Sequence, residues 1–219
     1  MPIEVTRAME HKTVSLADQV FDRLENEILC GNYARGEVLT ELKLVEDLGV
    51  SRTPIREAIR RLEQEHIVDV SQKGIVVLGV TQDDLADMYQ IRLRIEGLAT
   101  AYAAERITPE QLTELKETID LQDFYANRSD ADNIKTLDSH FHERIFKFSG
   151  SNVLYYELEP LHKKMQKYRR VSLEDSGRAA RSIAEHRHIY EAIAAGDAKR
   201  AERAAVTHVK NAMEHILRG

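Results

Sequence analysis

Leu16, Val20, Leu24 and Ile28 recur every four residues with Phe21 on the same side, a spacing that predicts an amphipathic helix ending near Gly31. Tyr33-Ala34-Arg35-Gly36 reads as a turn. Leu42, Val45 and Leu48 then mark a short second helix over 41–48, stopped by Gly49. A third helix follows at once, with Ser51 or Thr53 as its cap and Pro54 at its first position. Ile55, Ile59 and Leu62 share one face of it, while Arg52, Arg56 and Arg60 share another. After Glu65 the period shortens: 67–70 and 75–78 read as two strands about the turn Ser71-Gln72-Lys73-Gly74. Two helices across a glycine turn, followed by a hairpin, make a winged helix-turn-helix whose arginine-faced helix suits the major groove.

From Thr81 onward the pattern is helical throughout. Thr81 with Asp84 starts a long helix to about Arg106, and Thr108-Pro109-x-Gln111 caps the next. Further helices are expected over about 133–148, from Asn152 with a kink or break at Pro160, over 178–195, and over 197–217. Apolar positions spread widely around several of them, which predicts an antiparallel bundle. The expected fold is therefore mainly α, with a winged helix-turn-helix over residues 1–80 and an all-helical bundle over 81–219.

Charge changes how the first unit must work. The 219-residue chain carries a net −6, and residues 1–80 hold 10 lysines and arginines against 14 aspartates and glutamates. A diffuse basic surface is excluded, so any attraction to phosphate rests on where the arginines sit within a screening length of about 8–10 Å. No apolar run approaches the ~18–20 residues of a membrane span. The first fourteen residues lack the apolar stretch of a signal peptide, and the single Cys30 permits no intrachain disulfide. A cytoplasmic protein without a membrane partner is the expectation.

Histidines carry the chemistry of the second unit. Asp138 and His142 stand four apart on one helical face, while His186 and His208 lie on two later helices. Imidazoles and a carboxylate from three helices of a bundle can make a transition-metal site with vacant positions. Singly, each has an ordinary structural explanation, and His140, His162 and His188 are among several further candidates.

Two runs resemble known families. Asp47-Leu48-Gly49-Val50-Ser51-Arg52-Thr53-Pro54-Ile55-Arg56-Glu57-Ala58-Ile59-Arg60-Arg61-Leu62 is similar to the signature of the GntR superfamily of bacterial regulators. That resemblance implies that Ser51, Arg52, Thr53 and Arg56 contact DNA, with Lys73 and Gly74 contributing from the wing. Leu42 stands where members often carry an arginine, which would pass that contact to Lys43. Asp138-x-x-Phe141-His142, Ser149-Gly150-Ser151-Asn152, Glu185-His186 and His208 resemble the FCD effector domain of the FadR-like branch. It implies that Asp138, His142, His186 and His208 bind one divalent metal (zinc, nickel or manganese) and that a small carboxylate effector completes the coordination. Arg92 either meets that carboxylate or pairs with Glu96 one turn on.

These readings converge on a ligand-responsive transcription regulator, a repressor by family habit, that binds a near-palindromic double-stranded DNA operator as a homodimer. A metal-dependent enzyme fused to a DNA-binding domain is the alternative, with His140 or Glu143 as its base. A purely structural metal is another.

Overall fold

The computed structural model describes residues 15–218; the first fourteen residues, read against a signal peptide, lie outside them. The described residues divide into two compact units, the first ending at Gly79 and the second beginning at Val80.

In the first unit, helix α1 (Leu16–Leu29) opens with a reciprocal capping box between Ser15 and Asp18. Val20, Phe21, Leu24 and Ile28 are buried as their spacing requires. Leu16 is instead 49% exposed, while Ala17 beside it is buried. A two-residue strand β1 (Val38–Leu39) leads into α2 (Glu41–Leu48), which Thr40 caps and which ends at Gly49 in the left-handed conformation, φ 66°. Leu44, not Leu42, is the fully buried residue of α2; Leu42 faces solvent, and Val45 and Leu48 pack at the core margin. Helix α3 (Arg52–Gln64) begins two residues before the proline expected to start it, so Pro54 occupies the third position. This is tolerated because amide groups of a first turn have no intrahelical acceptor. Ser51 is its N-cap residue but makes no side-chain capping bond.

Strands β2 (Val68–Ser71) and β3 (Gly74–Val77) form the hairpin, and β1 adds to its other side in the antiparallel order β1-β3-β2. Gly74 has φ 116°, and a Cβ there would lie 2.9 Å from Val38 Cγ1 and 3.0 Å from the Leu39 carbonyl oxygen. Only glycine lets β1 close onto the hairpin.

The second unit contains α4 (Gln82–Arg106), α5 (Pro109–Ala126), α6 (Ala131–Phe148), α7 (Asn152–Lys164), α8 (Gln166–Ser172), α9 (Ser176–Ala194) and α10 (Ala198–Arg218). Thr81–Asp84 and Thr108–Gln111 form the capping boxes that begin α4 and α5. Helix α7 runs through Pro160 with its Leu154, Leu158 and His162 face held in the bundle. The interruption falls later, at Met165, and a separate seven-residue α8 follows. Phe141, Phe146, Leu158 and Ile189 anchor the main core, while Leu85, Tyr89, Met165 and Val209 form a second cluster. Long amphipathic helices burying their apolar faces against α4 leave the polar groups that remain inside to be satisfied by one another.

Candidate DNA-binding face and metal centre

At the start of α3, Ser51, Arg52 and Thr53 are exposed while Pro54 and Ile55 are buried, so the helix presents its N-terminal end to solvent. Helix N-termini offer unpaired amides and a favourable dipole to anions such as phosphate, and the Ser51 hydroxyl does not occupy them. Arg56 also faces outward, but Glu41 of α2 accepts from its Nε at 2.9 Å through each carboxylate oxygen. An exposed pair of this kind is weak, and a phosphate or guanine edge can compete for the guanidinium. Arg61, one residue beyond Arg60, turns inward to Asp18 and lies 4.0 Å over the Phe21 ring. Lys73 is exposed in the two-residue turn of the wing. Gly74 is placed by packing against β1. Lys43 is engaged with Glu37 at 3.5 Å.

Inside the helical unit, His142 of α6, His186 of α9 and His208 of α10 come together, with Asp138 of α6 beside His186. One ring nitrogen from each of the three histidines lies within 4.8 Å of the others, and all are buried. Asp138 Oδ1 is 3.6 Å from His186 Nε2. Each imidazole is oriented from behind: His142 Nδ1 faces Glu96 at 3.0 Å, His186 Nδ1 faces Gln122 Oε1 at 3.0 Å, and His208 Nδ1 faces Glu185 at 2.7 Å. With Nδ1–H donating to these acceptors, Nε2 keeps its lone pair, which is the form a metal requires. The Nε2 atoms of His142 and His186 are buried and have no hydrogen-bond partner. Phe141 stacks on His186 with ring centroids 4.1 Å apart, fixing its plane.

Glu96, His142 and His162 form a second ligand-rich group, but its chemistry differs. His162 Nδ1 must accept from Arg169 Nη1 at 2.7 Å, so its Nε2–H donates to Glu96 at 3.2 Å. Glu96 also accepts from Arg92 Nε at 2.7 Å, Arg92 Nη2 at 3.3 Å and His142 Nδ1. Its lone pairs are committed, and it serves as the hub that holds the other groups.

Burial raises the cost of ionising every group here. It takes His142 and His162 down to about 3, against the pull of Glu96, and His186 well below its ordinary value. For the carboxylates burial works the other way and is overcome. Arg92 and the adjacent imidazoles keep Glu96 well below the usual range, and Arg169 does the same for Asp138. Bonds from His208 and Asn211 with the Arg178 charge lower Glu185 to about 2.

Beside the histidines lies a small cleft lined among others by Tyr89, Arg92, Asp138, Arg169, Arg178 and His208. Arg92 thus satisfies one of its two expected roles, pairing with Glu96, while its Nη1 is buried without a partner. Arg169 bonds Asp138, and Arg178 donates to Glu185 at 3.1 and 3.2 Å. The sequence does not single out Gln122, Arg169 or Arg178, and it leaves His162 among several further histidines; no spacing rule connects residues on four different helices. His140 and Glu143, the bases invoked for an enzyme, are both exposed.

Comparison with known proteins agrees with this division. Residues 16–77 match the gntR family of bacterial regulatory proteins, and residues 87–211 match the FCD domain. The HTH-type transcriptional regulator McbR of Escherichia coli is 31% identical over 161 residues, covering 73% of this chain and 72% of its own. The Bacillus subtilis HTH-type regulator YdhC is 28% identical over 200 residues, covering 90% and 89%. The gluconate operon transcriptional repressor of Bacillus licheniformis is 32% identical over 124 residues, covering 57% and 51%. Among solved structures, E. coli McbR/YncC superposes with a TM-score of 0.79 at 25% identity over 94% of this chain and 98% of that one.

Proposed function

The chain belongs to the gntR family of bacterial regulatory proteins and carries an FCD domain, so it is a transcription regulator rather than an enzyme, and on that premise we propose a ligand-responsive repressor. In this reading a cytoplasmic homodimer grips a near-palindromic operator through Ser51, Arg52, Thr53 and Arg56, with Lys73 and Gly74 in the wing. A small organic acid bound in the helical unit releases it. That two relatives are named as gluconate operon repressors supports repression and an organic-acid signal.

The observation that carries the effector half is the arrangement of the three imidazoles. Their Nδ1 positions are pinned by Glu96, Gln122 and Glu185, and the Nε2 atoms of His142 and His186 are buried with nothing to bond. Leaving such atoms unpaired costs free energy that a ligand recovers. Neutral imidazoles plus the Asp138 carboxylate fit zinc, nickel or manganese. Asp138, His142, His186 and His208 would hold the ion, which would supply Lewis-acid attraction for a carboxylate oxygen. Arg92 orients the acid from the cleft wall. Among the described residues no helix is long and apolar enough to cross a membrane.

Release requires the acid to bind the DNA-free arrangement more tightly; each tenfold preference is worth about 1.4 kcal/mol. The experiment has two stages. Operator duplexes are selected from random DNA by the zinc-loaded protein, and their affinity is measured with and without a panel of small organic acids that includes gluconate. At least one acid should weaken binding about tenfold or more. Native mass spectrometry should show a dimer with one metal per chain. Unchanged operator affinity across the panel would overturn the effector reading, and a metal-free monomer would overturn the rest.

A further inference from the structure

The cleft beside the histidines is closed. It holds about 20 Å³ of cavity, room for about one water molecule, and every residue lining it except Ile216 is buried. A ligand larger than water must therefore displace a wall. Arg169, Ser172 and Leu173 form one wall, contributed by α8 and its C-terminal cap. The others belong to α4, α6, α9 and α10, helices of 18–25 residues, whereas α8 has seven and begins at Met165 without a side-chain cap. So short a helix has little stability of its own, which makes α8 the wall that yields.

Two adjacent residues of α8 reach in different directions. Arg169 donates to Asp138 and, through Nη1 at 2.7 Å, to His162 Nδ1. Tyr168, one position earlier, donates its hydroxyl to the Val80 carbonyl oxygen at 2.7 Å. Val80 is the first residue of the helical unit, where the chain arrives from the DNA-binding unit. The hydrogen-bond ladder of α4 starts one residue later, with the Leu85 amide donating to the Thr81 carbonyl, so the Val80 carbonyl lies outside it. Just before Val80, the Leu78 and Gly79 amides donate to the Ile67 carbonyl oxygen at 3.0 and 3.4 Å, and Gly79 turns the chain with φ 61°. Tyr168 thus holds the chain at the point where it enters the helical unit, and its neighbour holds a candidate metal ligand.

We propose that α8 carries the signal: a small organic acid entering the cleft lifts α8, and the Tyr168–Val80 hydrogen bond, lost with it, frees the chain that leads to the DNA-binding unit. This rests on the effector reading above and adds the route from the histidines to DNA. The bond favours the operator-binding arrangement, so its loss lowers operator affinity. The net worth of one hydrogen bond limits its share of the response to about tenfold.

The test uses full-length zinc-loaded protein and no acid. Tyr168→Phe deletes the hydroxyl and keeps the ring packed with Val80, Leu85 and Met165. Ser182→Leu overfills the cleft from α9 and stands in for a ligand. Hydrogen–deuterium exchange over residues 78–84 and affinity for the selected operator are measured for each variant and for the pair combined. Each substitution should speed exchange over 78–84 about threefold or more and weaken operator binding about three- to tenfold. Tyr168→Phe should keep its zinc and its wild-type exchange across α6. The double variant should bind no more weakly than Ser182→Leu alone, since both changes break one bond. Wild-type exchange and affinity in Tyr168→Phe, or losses that multiply in the double variant, would overturn the proposal; if Ser182→Leu does not fold, Tyr168→Phe decides alone. Wild-type operator binding that no acid weakens is a different result, and it overturns the effector reading beneath.

Discussion

Gly74 carries a role that only the structure shows. The family resemblance implies a DNA contact from the wing, and its φ of 116° with the 2.9 Å approach of a Cβ to Val38 Cγ1 makes it a packing requirement of the wing as well. Gly49 has φ 66°, and a methyl group added there would meet nothing within 4 Å, so an alanine costs only its backbone conformation. Gly49→Ala should cost about 1–2 kcal/mol, and Gly74→Ala about 2–4 kcal/mol because steric overlap is added. Urea denaturation of the full chain, followed by circular dichroism, compares them; equal costs would remove the packing role. Gln122 is the opposite kind of residue. Its Oε1 orients His186, but its Nε2 is buried with no partner. Replacing Gln122 with Leu should lower zinc affinity about 10–100-fold, measured against a chromophoric chelator. The metal-free protein should keep or gain stability, since an unsatisfied donor disappears. Undiminished zinc affinity would mean the amide does not position the ring.

At the scale of elements, recognition depends on what α2 does to α3. Glu41 occupies Arg56 with both oxygens, so Glu41→Gln should tighten DNA binding and steepen its salt dependence by about one phosphate contact. Arg52→Ala should abolish operator binding at unchanged zinc content, and simultaneous loss of metal would contradict the division of labour between the units. Weaker DNA binding by Glu41→Gln would show that the pair preorganises Arg56. The elements most legible in the sequence are those with local chemistry of their own. Thr81–Asp84 and Thr108–Gln111 announce helix starts because both halves of each capping box lie within one turn. Strand β1 and helix α8 leave no such mark, since two residues and seven residues are too short to display a period. The apolar spacing favours Leu42 over Leu44 as a core residue, and the structure reverses them, because eight residues do not settle which face of a helix is inward.

At the scale of the molecule, acid should dismantle the helical unit from its polar centre. His142 and His162 are held at about 3 by burial, whereas an unfolded chain titrates them near the ordinary value of about 6.5. Between those values the unfolded state binds more protons, so this stability is complete above about pH 6.5 and is lost as pH falls towards 3. Glu185, lowered to about 2, extends the loss below its ordinary value of about 4.5. Melting of chelator-treated protein should be level above neutrality and decline steadily below about pH 6.5. A melting temperature constant from pH 7 to 5 would show that these imidazoles are not buried as neutral rings. The candidate site is half legible: a motif points to Asp138, His142, His186 and His208, but their supports are dispersed over α4, α5, α7, α8 and α9 and share no spacing. Glu96, which answers Arg92, His142 and His162 at once, carries a last consequence. None of these partners can drift alone, because losing the carboxylate strands a buried guanidinium and losing a donor strands the carboxylate. Divergence among relatives should therefore exchange this group as a block, with a relative lacking His162 lacking Glu96 too, while the exposed arginines of α3 change one at a time.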